Sequence, residues 1–356
     1  MLDTFRFPSP LFSEATPPLD SRGDIPAPEP PPEPPPQSWV RFVFWGPNGL
    51  RGGWRLLIFI LILSAISGGL FLALRPFAHR HAAHTHPAFS VEVILPTEAL
   101  SALVILLATF LMTKIEGRTF ADYGLPWRKA FQARFWEGMA WGFGAITAVL
   151  VALRVSGCFF FGTVALHGYE LAKYAAGWGV TFILVGLFEE SFLRGYALFT
   201  LTTGIGFWPS AVLLSVAFGG LHIQNSGETL VGAASAGLFG LLACLILRRT
   251  GDLWLAIGFH AAWDWGQTFF YGVPDSGLVA PGHFLNSSFH GSKWLTGGTV
   301  GPEGSVLTLV ALAACWLIFS RRFPTAQYPN PAALGDPRAR GWLSPGGEIR
   351  DRPIAS

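Results

Sequence analysis

Three polar clusters interrupt apolar stretches in the second half of this chain, and each has a spacing that matters chemically. The first is Glu189-Glu190 with Arg194, inside GVTFILVGLFEESFLRGYALF. Glu190 and Arg194 are four residues apart, so on a helix they share a face and can pair, while Glu189 points about 100° away. The second is FGGLH, ending in His222, with Gln224 and Asn225 just beyond. The third is HAAWD, which puts His260 and Asp264 on one helix face.

An ionised carboxylate at mid-bilayer costs roughly 2.5–3.5 kcal/mol even on the lenient insertion scale. Each cluster alone has a structural reading, as an interhelical hydrogen bond or an ion-pair network. Together, two Glu, two His and one Asp are expensive unless they meet, so a shared polar cavity is expected. A carboxylate in a partly dry cavity is a competent general base near neutral pH, as peptide hydrolysis requires. Two His and a carboxylate also suit Zn²⁺, which lowers the pKa of bound water and polarises a carbonyl. HExxH is absent, so metal ligands would have to come from separate helices. Buried Glu and His also build ion-coupled transport relays, although no convincing internal repeat is visible.

The elements positioning these groups read as membrane helices. Of 356 residues, 51% are hydrophobic and only 13% charged, with 14 Trp and 31 Phe; the mean hydropathy is +0.43. Soluble domains carry about 25% charged residues, so the composition predicts an all-α polytopic bundle with a polar intramembrane cavity. The net charge of +2 gives no reason to expect nucleic-acid binding. Eight apolar segments are expected to span the bilayer, at about 54–74, 93–113, 138–155, 174–199, 207–223, 230–247, 253–271 and 305–320.

Residues 1–48 read as a disordered Pro-rich tail and 321–356 as a second loose tail. No basic region leads into an apolar core at the N-terminus, so no cleaved signal peptide is expected. Basic clusters at Arg41, Arg51 and Arg55, between 114 and 134, at Arg248-Arg249 and at Arg321-Arg322 fall on one side if both termini are cytoplasmic. Cys158, Cys244 and Cys315 read as small buried hydrophobes. The segment HRHAAHTH, with His79, His81, His84 and His86, reads as a solvated loop with at most weak metal binding.

EESFLR, FGGLH and HAAWD, in this order, resemble the EExxxR, FxxxH and Hxxx(N/D) motifs of the intramembrane CAAX-protease and bacteriocin-processing family, also called CPBP or Abi. TFADYGLP, LRRTGDLWLAIGFHAAWDW and LTGGTVGPEGS are also similar to that family, so the resemblance covers about 119–320. It implies an N-terminal helical region at 49–118 followed by a protease core at 119–320. It further implies an intramembrane endopeptidase acting on a membrane-tethered peptide or protein, in the bilayer of what is expected to be a bacterial plasma membrane. Glu189 would activate water with His222 assisting; His260 and Asp264 would be metal ligands or oxyanion stabilisers; Glu190 and Arg194 would support the first motif. If Zn²⁺ is bound, the resemblance gives Glu189, His222, His260 and Asp264 as its ligands; a metal-free glutamate mechanism is the other form. Asp264 stands where many members carry Asn, and an Asp is the better metal ligand and the poorer oxyanion donor. A non-catalytic scaffold or self-immunity protein of the same fold is the alternative function, and an ion-coupled transporter a further one.

Overall fold

The computed structural model describes residues 39–46, 49–81, 89–225 and 227–329. Contacts within the chain separate Met1–Trp39 from Val40–Ser356, and the second unit is the one described. Most of the expected N-terminal tail, His84 and His86 of the His-rich stretch, and the end of the C-terminal tail lie outside the described residues. Residues 39–46, within the stretch expected to be tail, form helix α1 (Trp39–Phe44) and strand β1 (Trp45–Gly46), which pairs with β2 (Gly49–Leu50).

The bundle proper begins with α2 (Gly52–His81) and α3 (Val91–Glu116), followed by α4 (Ala133–Val155). A short strand, β3 (Phe159–Phe160), leads to α5 (Gly168–Glu190), which runs into a π-helical turn, Ser191–Ala197, kinked at Gly195 (φ −80°, ψ −114°), and then α6 (Leu198–Ile205). Next come α7 (Phe207–His222), α8 (Leu230–Thr250) and α9 (Trp254–Trp265), the last prolonged by a second π-helical turn, Gly266–Phe270. Strand β4 (Ser288–Phe289) pairs antiparallel with β3, and the short α10 (Lys293–Thr296) precedes α11 (Val306–Arg322).

Each of the eight expected apolar segments lies on one of these helices. Among the described residues, five helices are long and apolar enough to cross a membrane: Gly52–Arg75, Val91–Glu116, Ala133–Val155, Gly168–Ile205 and Leu230–Thr250. These belong to an all-α membrane bundle. Phe207–His222 is shorter, at 16 residues, and rises only about 24 Å against a hydrocarbon core of about 30 Å. The helix stops at His222 and is followed by turns.

Helix α9 is the axis of the fold, packed between α4 and α5, and every residue from Trp254 to Asp264 is buried. Side chains so apolar gain nothing by contact with one another rather than lipid, so close backbone approach must supply the attraction. Gly142 on α4 provides it, because a Cβ there would strike the Phe259 carbonyl oxygen of α9. Gly186 on α5 does the same one turn before the Glu pair: a Cβ would lie 3.0 Å from the Ile257 oxygen and 3.5 Å from the His260 Cβ.

A second anchor ties the π-helical turn after Glu190 to the first two helices. The Glu116 carboxylate of α3 pairs with Arg55 of α2 and accepts hydrogen bonds from the Tyr123 hydroxyl, at 3.1 Å, and from the Tyr196 hydroxyl. All four residues are buried. Tyr196 belongs to the π-helical turn, so this network holds the segment just downstream of the Glu pair.

Substituting Gly142 by Leu should force α4 off α9, costing about 1–3 kcal/mol and lowering the unfolding temperature of the detergent-purified chain. Gly144→Leu, where an added Cβ meets nothing within 4 Å, should leave it unchanged.

Candidate active site

Glu189 and Glu190 end α5, where the helix widens into the π-helical turn that often marks functional positions. Their environments differ sharply. The Glu190 side chain is 0% exposed, whereas that of Glu189 is 27% exposed. Glu190 is therefore a buried structural charge, and Glu189 is the one a substrate or a water can reach.

Glu190 is held from two sides. Arg194 Nη1 donates to its Oε1 at 3.4 Å, the pairing expected from the sequence spacing. His260 Nδ1 lies 2.9 Å from the same oxygen, a contact spanning 70 residues that no sequence pattern announces. A carboxylate oxygen can only accept, so the proton sits on Nδ1. That leaves His260 Nε2 facing Glu189 Oε2 at 3.6 Å and Asp264 Oδ2 at 3.4 Å. His260 and Asp264 are 8% and 7% exposed, and the Phe239 ring packs edge-on against the imidazole at 4.8 Å.

Arg194 is itself enclosed: its guanidinium sits 4.4 Å from the centre of the Phe218 ring. A Cβ on Gly240 of α8 would collide with Arg194 Nη2. The lack of a side chain at 240 is what admits the buried cation.

His222 lines the same cavity as His260 and Asp264, a space of about 60 Å³ between α7, α8, α9 and α11. Its Nδ1 lies 2.9 Å from the Phe218 carbonyl, so this nitrogen also carries the proton and Nε2 is left as an acceptor. The structure thus groups Glu189, Glu190, Arg194, His260 and Asp264 tightly, and sets His222 across the cavity.

These residue types suit Zn²⁺, with Glu190 in the orienting role that a carboxylate plays behind a metal-bound His. As placed, no group of three or more His, Cys, Asp or Glu side chains among the described residues forms a ready metal site, although Glu189 Oε2 and Asp264 Oδ2 both lie within 3.6 Å of His260 Nε2. Cys158, Cys244 and Cys315 are free and buried, as expected. The side chains of His79 and His81 lie outside the described residues.

Sequence reasoning missed three further groups in the cavity wall: Glu228, Ser235 and Glu303. Nearby, Asp275 is 6% exposed and accepts a 2.6 Å hydrogen bond from Thr268. Burial pushes its carboxyl up to about 6. Burial, followed by repulsion from Asp275 and Asp264, likewise pushes Glu303 well above the ordinary carboxylate range.

For Asp275 the folded chain retains a proton that the unfolded chain has lost between pH ~4 and ~6. Its contribution to stability therefore falls as pH rises through that window and is level above it. Asp275→Asn should show a smaller drop in unfolding temperature between these pH values than the parent chain, measured by thermal denaturation in detergent.

Residues 171–266 match the family model described as type II CAAX prenyl endopeptidase Rce1-like. The matched segment lies within 119–320 and contains all six residues singled out from the motifs, Glu189, Glu190, Arg194, His222, His260 and Asp264. No curated protein matches the chain. Over residues 171–266 the family match bears out the resemblance read from EESFLR, FGGLH and HAAWD.

Proposed function

We propose that this protein is an intramembrane endopeptidase that hydrolyses a peptide bond of a membrane-associated peptide or protein. The observation that carries the reading is the meeting of Glu189, Glu190 and Asp264 on one buried imidazole, His260. It occurs within a segment similar to a family of endopeptidases.

The steps follow from the positions of the chain's own groups. Glu189, the exposed member of the pair, takes a proton from the attacking water as general base. His260 faces the same space through Nε2. Receiving from Glu189 the proton taken from water, it stabilises the developing oxyanion and then passes that proton to the leaving amine, which leaves Glu189 ionised again. Glu190 does not react; it fixes the His260 tautomer and opposes the charge that forms on the ring, and Arg194 balances Glu190. Asp264 Oδ2, 3.4 Å from Nε2, accepts from it once it is protonated, and His222 assists from the wall of the cavity. Because the cavity lies in a bundle of membrane helices, a substrate tethered to or lying in the bilayer reaches it with fewer degrees of freedom than one in free solution.

Cleavage of a fluorogenic peptide library by the detergent-purified chain tests this reading. Glu189→Gln should lower kcat by about 10²–10⁴-fold, the usual contribution of a general base, with an unchanged unfolding temperature. Undiminished cleavage by that variant would refute the assignment of Glu189, and hydrolysis of no peptide by the parent chain would refute the peptidase.

A further inference from the structure

The cavity extends past the groups that the proposed hydrolysis uses. Beyond Asp264 its wall carries Glu228, from the connection leading into α8, and Glu303, from the turn before α11. Each has one oxygen committed to neutral donors. Glu303 Oε2 accepts from the Ser276 amide at 3.1 Å and the Ser276 hydroxyl at 3.5 Å; Glu228 Oε1 accepts from the Thr229 amide at 2.7 Å. Three carboxyl groups thus face a cavity of about 60 Å³ whose wall carries no Lys or Arg.

A second observation points to an occupant. Ser235, on α8, lies in the same wall and is 3% exposed, yet its Oγ has no hydrogen-bond partner. Serines within helices commonly bond back to their own backbone, and a buried hydroxyl with no protein partner is open to a water or to a bound group in the cavity. The cavity, about 60 Å³, is far smaller than the roughly 300–1,000 Å³ of drug-sized ligand pockets, so it suits the end of one side chain and not a whole partner domain.

We propose that this end of the cavity is a specificity pocket for the cationic side chain of a lysine or arginine in the peptide substrate, with Glu303 and Glu228 opposing its charge and Ser235 accepting one of its N–H groups. The inference rests on the peptidase reading for the identity of the ligand, since a peptide lying across His260 and Glu189 would present a neighbouring side chain to this wall. It concerns recognition alone and adds no chemical step.

The test is binding, read independently of turnover. Short fluorescein-labelled peptides, each with one lysine at a scanned position, are titrated against the purified full chain beside counterparts carrying norleucine at that position. At least one lysine peptide should bind about tenfold more tightly than its counterpart, the scale of one charge-assisted contact. That preference should vanish in Glu303→Gln and in Glu228→Gln, survive in Glu303→Asp, and weaken in Ser235→Ala, each variant being checked by its unfolding temperature. If Glu303→Gln does not fold, Glu228→Gln decides. Equal affinity for both peptide series, or a preference untouched by the Gln variants, would overturn the pocket. Equal hydrolysis of the two series would overturn the pocket and leave the peptidase standing. Preferential binding without any hydrolysis would do the reverse.

Discussion

One buried carboxylate organises this molecule. Glu190 is fully removed from solvent, and it is shared by Arg194 on its own chain segment and His260 on α9. A lone charge in such a place is not tolerable, and removing one partner of a buried pair commonly costs about 3–5 kcal/mol. Glu190 is thus fixed by its neighbours, and it in turn fixes the imidazole whose other nitrogen faces Glu189 and Asp264. The exposed carboxylate has a defined partner because the buried one does.

Meeting that constraint demands that α5 and α9 approach closely, and glycines supply the approach where the two helices cross. Gly186 brings α5 onto α9 one turn before the Glu pair, and Gly142 seats α4 on the opposite side. Gly240 leaves room for Arg194. The Glu116 network then holds the π-helical turn through Tyr196. These contacts place polar groups inside an apolar bundle without leaving them to lipid.

Much of this was legible in the sequence, for definite reasons. Charges are so costly among apolar helices that Glu189, Glu190, His222, His260 and Asp264 had to be explained jointly, and the apolar runs that carry them made their helices plain. The Glu190–Arg194 pair followed from spacing alone. The Glu190–His260 contact did not, since it joins helices 70 residues apart and depends on Gly186. The placement of His222 depended on helix length: α7 ends at this residue, which lines the cavity. Glu228 and Glu303 were not singled out because they sit in connections, where a glutamate is ordinarily solvated, and Ser235 because one serine in a helix carries no pattern.

The most direct test of this account is a double-mutant cycle between Glu190→Gln and His260→Gln, read on thermal stability in detergent and on peptide hydrolysis. Residues acting as a unit are strongly non-additive. The account predicts that the double variant loses little more than the worse single variant on both readouts. Losses that simply add would show that Glu190 and His260 act independently, and would contradict the claim that the buried carboxylate holds the reacting imidazole.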